Sequence, residues 1–205
     1  MTIGSPVVIV DSGGANLASV GYAFERLGVE SVITHDPKKI LAAERVLLPG
    51  VGNASSIMAR LNEYELVPVV RSLTCPVLGI CLGMQLLFDW SAEGDTVGLG
   101  IIPGRVEPFH ATQGLPIPHM GWNSLRLHRT DPLLLGLSDE DWFYFVHGYV
   151  APISPRHTLA STVYGQEFPS VVRQSNFWGV QFHPERSGKS GARLLSNFLK
   201  LSPCA

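Results

Sequence analysis

The sequence predicts an α/β fold with a mostly parallel central sheet, helices on both of its faces and added antiparallel strands. In the first half, short apolar runs alternate with helix-like segments, and the runs are apolar at consecutive positions. Such runs are typical of parallel strands buried on both faces. In the second half, Pro and Gly become frequent and β-like runs replace the helices. Since the 205 residues contain no linker, we expect one domain over residues 1–205.

The first half supplies four predicted strands and the helices between them. The strands are expected at Val7–Val10, at Ser31–Thr34, at Val46–Leu48 before Pro49-Gly50, and at Pro76–Leu78. The helices are expected from a cap at Asn16 to a stop at Gly28, after the cap and first-turn proline Asp36-Pro37, and near Ser55–Asn62 and Glu65–Leu73.

The second half supplies the added strands and the last helix. The β-like runs are Phe143–His147, Thr158–Tyr164, Ser170–Arg173 and Gly179–His183. The final helix is expected over Gly191–Leu201, because Ala192, Leu195, Phe198 and Leu199 recur on one side.

Composition excludes several classes of function. A net charge of −2 offers no basic field for nucleic acid. No apolar run is long enough to span a bilayer, and the first residues lack a signal-peptide pattern. Only 16% of residues are charged, against about 25% in a typical domain. This low charged fraction is consistent either with a large contact surface for another protein or with a compact enzyme that has a large apolar core.

The three cysteines are Cys75, Cys81 and Cys204, an odd number without a C-x-x-C pair. A disulfide framework or a zinc site is therefore not expected, and this use of cysteine is consistent with a reducing compartment. Together with the lack of an export signal, this predicts a cytoplasmic protein.

Cys81 stands at the apex of a tight turn, Gly79-Ile80-Cys81-Leu82-Gly83. An apolar run precedes the turn and the helix-like stretch Met84–Phe88 follows it. This strand–turn–helix pattern matches the nucleophile elbow of hydrolases, with sulphur in place of the serine oxygen. A helix N-terminus and a nearby imidazole can lower the pKa of a thiol, so Cys81 is predicted to attack a carbonyl. The alternative is a buried structural cysteine.

His183-Pro184-Glu185 can supply a base and the group that orients it. Pro184 favours extended geometry at His183, and residues two apart in an extended segment share a face. The Glu185 carboxylate could then fix the His183 imidazole and stabilise its charged form. The alternative is a core histidine beside a surface glutamate.

Pro49-Gly50-Val51-Gly52 directly follows a predicted strand. Parallel strands end at one edge of a sheet, so this loop should share the edge with Cys81. Gly50 and Gly52 let the peptides turn, and a backbone N–H could then stabilise an oxyanion, with the Leu82 N–H as a second donor. Without Cys81, a plain glycine turn would explain the segment.

These segments together resemble the class I (triad) glutamine amidotransferases. The resemblance is carried by Gly79–Gln85, Pro49–Gly52 and Gly179–Glu185, and order and spacing agree from residue 7 to about residue 200. Within the family, three more segments are similar to the branch whose members pair with a β/α-barrel cyclase in histidine biosynthesis: Leu115–Asn123, Phe143–His147 and His183–Gly188.

The resemblance implies roles for individual residues. It implies a catalytic triad of Cys81, His183 and Glu185. It implies an oxyanion strand and a substrate pocket formed by Gly50, Val51, Gly52, Leu82, Gln85, Glu93, His147, Gly148 and Tyr149. The role of Glu93 depends on the resemblance alone. At Gly148 relatives often have Ser or Thr, so a hydroxyl contact is expected to be absent here.

The resemblance also implies a reaction and a partner. Glutamine would be hydrolysed to glutamate and ammonia, without a metal or an organic cofactor. In a heterodimer with the cyclase subunit, ammonia would pass to the ribulosyl intermediate PRFAR, giving imidazole glycerol phosphate and the ribotide AICAR. Contacts are expected at Asn16 and along Pro118, His119, Met120, Gly121, Trp122 and Asn123. Core packing is the alternative for Trp122.

Other functions compete with this interpretation. An amidotransferase of the same class could instead serve GMP, anthranilate or pyridoxal phosphate synthesis, although the Pro118–Asn123 segment argues against these. A thiol esterase or peptidase could also use an elbow cysteine with a histidine, and a silent scaffold would need neither. A further hypothesis is regulatory: the Val51 peptide would turn its N–H inward only in the complex.

Overall fold

A computed structural model describes residues 5–13, 17–50, 52–110 and 114–202 of the chain. The helices in these ranges are Leu17–Arg26 (α1), Pro37–Leu41 (α2), Ala54–Glu63 (α3), Leu66–Arg71 (α4), Leu82–Gln85 (α5) and Gly188–Phe198 (α6), with 3₁₀ turns at Pro132–Leu134 and Pro184–Arg186. The strands are Val7–Val10 (β1), Ser31–Thr34 (β2), Val46–Gly50 (β3), Val77–Cys81 (β4), Phe88–Ser91 (β5), Thr96–Val97 (β6), Ile102–Pro108 (β7), His119–Ser124 (β8), Arg126–Leu127 (β9), Trp142–His147 (β10), Tyr149–Val150 (β11), Thr158–Tyr164 (β12), Gln166–Gln174 (β13) and Phe177–Val180 (β14).

The main sheet combines a parallel half with an antiparallel half, as the sequence predicts. In the described ranges it has eight strands in the order β2-β1-β3-β4-β14-β13-β12-β9. Strands β2, β1, β3, β4 and β14 are linked by parallel pairing, whereas β13, β12 and β9 are added by antiparallel pairing. The carboxyl ends of β3, β4 and β14 therefore lie side by side at one edge.

The parallel strands β1, β3, β4 and β14 are buried on both faces, whereas the edge strand β2 is partly exposed, with Val32 and Ile33 at the surface. Along β1, Val7 and Ile9 belong to one apolar core with side chains of α1 and α6, while Val8 and Val10 belong to a second core with side chains of α2, α3 and α4. Continuous apolar runs thus form strands here because helices cover both sides of the sheet. None of the helices in the described ranges combines the length and apolarity that crossing a bilayer requires.

Two smaller sheets lie outside the main one. One is the antiparallel pair β8–β10, and the other has the order β11-β7-β5-β6. Strands β5, β6, β7, β8 and β11 of these sheets, and β9 of the main sheet, were not expected from the sequence.

The helix expected after Cys81 is much shorter than predicted. Only Leu82–Gln85 is helical, and Phe88 already begins β5. The carbonyls of Leu86 and Leu87 accept hydrogen bonds from Leu99, Ile101 and Ile102 instead of continuing the helix. The apolar run Leu86-Leu87-Phe88 is buried in the second core, so tertiary packing overrides the helical pattern.

Two other boundaries also differ from the expectation. The last helix begins at Gly188 and ends at Phe198, earlier than predicted at both ends. Strand β14 ends at Val180, so His183 lies beyond the sheet. The cap at Asp36 is confirmed, since its side chain accepts from the Lys38 N–H, whereas the expected cap Asn16 lies outside the described residues.

Glycine allows the single turn of α5 to lie directly against the sheet. A Cβ added at Gly83 would come within 1.8 Å of the Leu48 carbonyl oxygen in β3. A Cβ at Gly79 would come within 2.6 Å of the Gly83 carbonyl oxygen. Because these neighbours are backbone atoms, they cannot move aside as a flexible side chain could. The elbow therefore needs glycine on both sides of Cys81.

We expect Gly83→Ala to destabilise the protein. In an exposed helix this change would stabilise by about 1 kcal/mol, but overpacking against fixed backbone costs about 1–3 kcal/mol or more. Urea unfolding measures the difference. Gly148→Ala is the control, because no atom lies within 4 Å of its added Cβ. Equal unfolding midpoints for the two variants would contradict the close approach.

Candidate active site

Cys81 is held in an unusual backbone conformation between β4 and α5. Its φ of 54° and ψ of −110° place its backbone in a region that residues other than glycine rarely adopt. Such a conformation costs on the order of 1–3 kcal/mol and persists only where the surroundings impose it. The turn aims the side chain at the edge where β3, β4 and β14 end, as the elbow pattern predicts.

Strand pairing brings His183 to Cys81. In the β4–β14 register Val180 pairs with Ile80, so both chains leave the sheet at the same level. The imidazole of His183 lies beside the Cys81 side chain, close enough for Cys81 to raise its pKa. Its Nδ1 lies 2.8 Å from Oε1 of Glu185, whose side chain is completely buried. With Nδ1 taken by the carboxylate, Nε2 is the atom left for the sulphur.

Backbone contacts hold His183 in place. Its N–H donates to the Tyr144 carbonyl at 2.9 Å, and its carbonyl accepts from the Ser187 hydroxyl at 2.6 Å. His183 is extended, as Pro184 predicts, but Pro184–Arg186 form a 3₁₀ turn. Glu185 therefore reaches the imidazole through a turn, and the expected extended segment was wrong beyond His183.

The environment of His183 favours its charged form. Burial alone lowers the pKa of the imidazole, but hydrogen bonds to Cys81 and Glu185, together with their negative charges, raise it to about 10. The imidazolium is therefore retained at neutral pH, where it stabilises an ionised sulphur beside it.

A cavity of about 510 Å³ opens in front of Cys81. The predicted site residues that line it are Gly50, Gly52, Cys81, Leu82, Gln85, Glu93, His147, Gly148, Tyr149 and His183. Glu185 lies behind His183. Val51, whose peptide was expected to turn its N–H inward in the complex, lies outside the described residues.

The oxyanion loop and the elbow are packed together. Gly50 pairs with Cys81 across β3 and β4, and a Cβ at Gly50 would come within 2.5 Å of the Gly83 nitrogen. Gly52 has a φ of +105°, a conformation for which glycine is suited. The structure thus places the loop predicted to hold an oxyanion directly beside the sulphur.

Glu93 reaches the cavity from the turn between β5 and β6. Its Oε2 accepts from the Ala54 N–H at 2.8 Å, at the start of α3. Burial raises the pKa of this carboxyl, and the bond from Ala54 opposes the shift.

Two neutral histidines lie at one side of the cavity, with His147 lining it and His119 bonded to His147. His147 Nδ1 lies 2.9 Å from the Tyr149 carbonyl, which can only accept, so Nδ1 carries the proton and Nε2 accepts from His119 Nδ1 at 3.0 Å. Burial lowers the pKa of His147 to about 3, and His119 and His183 oppose its protonation further. Burial also lowers the pKa of His119 to about 4.

The predicted contact segment Pro118–Asn123 is mixed in its exposure. Met120 is 62% exposed and Trp122 is 53% exposed, which excludes core packing for Trp122. His119 is only 2% exposed, contrary to the expectation that it faces a partner, because its ring stacks on Tyr164 and bonds to His147.

The other residues of this segment have separate positions. Pro118 lines the cavity, Gly121 pairs with Phe145 in the β8–β10 ribbon, and the Asn123 amide donates to the Val163 carbonyl. Asn16 lies outside the described residues.

Sequence reasoning missed three residues of the site. Val146 and Arg186 line the cavity, and the Gln181 amide lies 3.8 Å from the Cys81 sulphur. A polar residue inside the apolar run Gly179–Phe182 was the available signal for Gln181. Within the described ranges, Cys75 and Cys81 are free thiols and no group of side chains could hold a metal ion, whereas Cys204 lies outside them.

Comparisons with known proteins agree with this geometry. The family model for glutamine amidotransferase class-I matches residues 8–201. The chain is 50% identical over 196 residues to imidazole glycerol phosphate synthase subunit HisH of Yersinia pseudotuberculosis, covering 95% of this chain and 99% of the relative. It is 49% identical over 201 residues to the same subunit of Photorhabdus laumondii, with 95% and 99% covered.

A crystal structure of a glutamine amidotransferase shares the fold. It is 21% identical in sequence, superposes with a TM-score of 0.74, and the match covers 96% of this chain and 98% of that one. Given the family match over nearly the whole length and the close sequence relatives, the chain belongs to the class-I glutamine amidotransferase family.

Proposed function

We propose that this chain is the glutaminase subunit of imidazole glycerol phosphate synthase. It hydrolyses glutamine to glutamate and ammonia, and a β/α-barrel cyclase subunit uses the ammonia on PRFAR, giving imidazole glycerol phosphate and AICAR. The carrying observation is the His183 imidazole, which lies beside Cys81 at the wall of the cavity and is hydrogen-bonded to Glu185 through Nδ1. About 50% identity to subunits of that name over nearly the full length supports the choice within the family.

The geometry suggests the following chemical steps. The Cys81 thiolate attacks the carboxamide carbon of glutamine, and backbone donors at Leu82 and in the Gly50–Gly52 loop stabilise the oxyanion. His183 donates its proton to the departing ammonia, which leaves a glutamyl thioester on the sulphur. His183 then takes a proton from water as the water attacks the thioester, and glutamate is released. Glu185 orients the imidazole and stabilises its charge.

Substrate binding is assigned to polar residues that line the cavity together with the sulphur. Glu93 and Gln85 bring polar groups to the cavity, and we propose that they hold the glutamine. His147, Gly148 and Tyr149 line the same cavity, and we propose that their backbone closes around the substrate. Because Gly148 has no hydroxyl, any contact at this position is made by the backbone.

The proposal includes two further features that the sequence predicts. These are a single domain over residues 1–205 and a cytoplasmic location. Cysteine usage supports the location, since catalysis needs a reduced sulphur at Cys81 and the described thiols are free.

We expect Cys81→Ala to abolish glutaminase activity while preserving the fold. Loss of a covalent nucleophile typically costs about 10⁴-fold or more in rate. Glutamate release by the complex with the cyclase subunit measures the effect, and circular dichroism checks the fold. Cys75→Ala is the matched control, because Cys75 is a buried free thiol outside the cavity. Substantial glutamate release by Cys81→Ala would refute the mechanism.

We expect Trp122→Ala to weaken binding of the cyclase subunit. A half-exposed tryptophan on the β8–β10 ribbon is suited to anchor a partner, and such anchors contribute about 2–4 kcal/mol, or about 30- to 1,000-fold in affinity. Calorimetric titration with the cyclase subunit measures it. Leu135→Ala is the control, being 71% exposed but outside the predicted segment. Equal affinities for the two variants would place the interface elsewhere.

A further inference from the structure

We infer that Gln181 is a side-chain donor to the Cys81 sulphur, aimed by a chain of buried amides that begins at the Tyr149 carbonyl. The inference rests on the proposed role of Cys81 as the nucleophile. It adds a positioning residue to the site, one that acts on the sulphur and does not reach the cavity.

The chain consists of three hydrogen bonds. Gln85 Nε2 donates to the Tyr149 carbonyl at 3.0 Å and to Gln181 Oε1 at 2.9 Å. Gln181 Nε2 then lies 3.8 Å from Cys81 Sγ, within the longer range of bonds to sulphur. Gln181 is completely buried, and Gln85 is nearly so.

The direction of the chain is fixed by its first member. A carbonyl can only accept, and the two lone pairs of the Tyr149 oxygen receive the His147 Nδ1–H and the Gln85 amide. Gln85 must therefore direct its NH₂ group towards both the Tyr149 carbonyl and Gln181, and Gln181 must accept with its amide oxygen. The remaining NH₂ group of Gln181 is then aimed at the sulphur. Rotating either amide by 180° would place two acceptors or two donors against each other.

The sulphur needs such a donor when it is ionised. In the thiol form, Cys81 donates to the Val146 carbonyl at 3.7 Å. After ionisation this carbonyl presents a negative dipole to the sulphur and opposes the charge. His183 supplies one compensating donor, and Gln181 supplies the second from the interior side.

The backbone holds Gln181 firmly for this task. Its N–H donates to the Ser170 carbonyl at 2.9 Å, just past the last pair of β14 with β13. A Leu or Met would fill the same buried volume without the cost of desolvating an amide. The polar side chain at this position is explained by the two bonds that it makes.

Other charged and titratable groups also face the sulphur. His183 lies beside it, with Glu185 behind. Arg186 lines the same cavity from the turn that carries Glu185, and Glu93 and neutral His147 line it from other elements. The contribution of Gln181 is therefore measured by comparing wild type with a variant that keeps these five residues unchanged.

The test is the pH dependence of Cys81 alkylation by iodoacetamide in the full chain. Modification is quantified on the Cys81 peptide by mass spectrometry. Gln181→Met keeps the volume and removes the donor, so we expect the midpoint to rise by about one pH unit, and the rate below the wild-type midpoint to fall about three- to tenfold. An unchanged midpoint would overturn the inference.

A control and a second measurement protect the test. Asn197→Leu removes another buried amide, which bonds to the Leu133 and Leu135 carbonyls, and should lower stability without shifting the midpoint. If Gln181→Met does not fold, the side-chain amide NMR signals of Gln181 in wild type should move with the alkylation midpoint, and pH-independent signals would overturn the inference. If alkylation of Cys81 leaves glutamine hydrolysis intact, the proposed function fails instead.

Discussion

The parallel pairing of β4 with β14 is the constraint on which the site depends. It joins segments about a hundred residues apart and makes them leave the sheet at the same level, with Cys81 after one and His183 after the other. Cys81 and His183 cannot fix each other's position without this pairing, because Cys81 lies in a strained turn and His183 in a short extended segment. The two apolar cores on the faces of the sheet fix this pairing.

Close backbone packing converts this pairing into a cavity. Gly83 lets α5 touch β3, so the elbow, the Gly50 loop and the His183 segment meet within one small volume. Around it lie buried polar groups whose donors and acceptors are matched, from His119 and His147 to Gln85 and Gln181. Such a network keeps each group in a single orientation, which is what a site for covalent chemistry requires.

Local patterns in the sequence predict the strands of the main sheet other than β9, the elbow and the His183–Glu185 pair, because periodicity and turn chemistry are local properties. They fail where tertiary contacts decide, as at Leu86-Leu87-Phe88, which looks helical but forms a strand start and a buried turn. The position of Glu93, the burial of His119 and the amide chain through Gln181 depend on distant segments that meet only in the fold. No spacing rule could have revealed them.

The protonation state of His183 tests the central claim most directly, since it reports the contact with Cys81. The pKa of about 10 lies above the ordinary 6.5, so the stability gained from this proton is complete below pH 6.5 and lost as pH rises towards 10. NMR of labelled histidine should show His183 still protonated at about pH 8, with a lower midpoint in Cys81→Ala. A midpoint near 6.5 in both proteins would contradict the account.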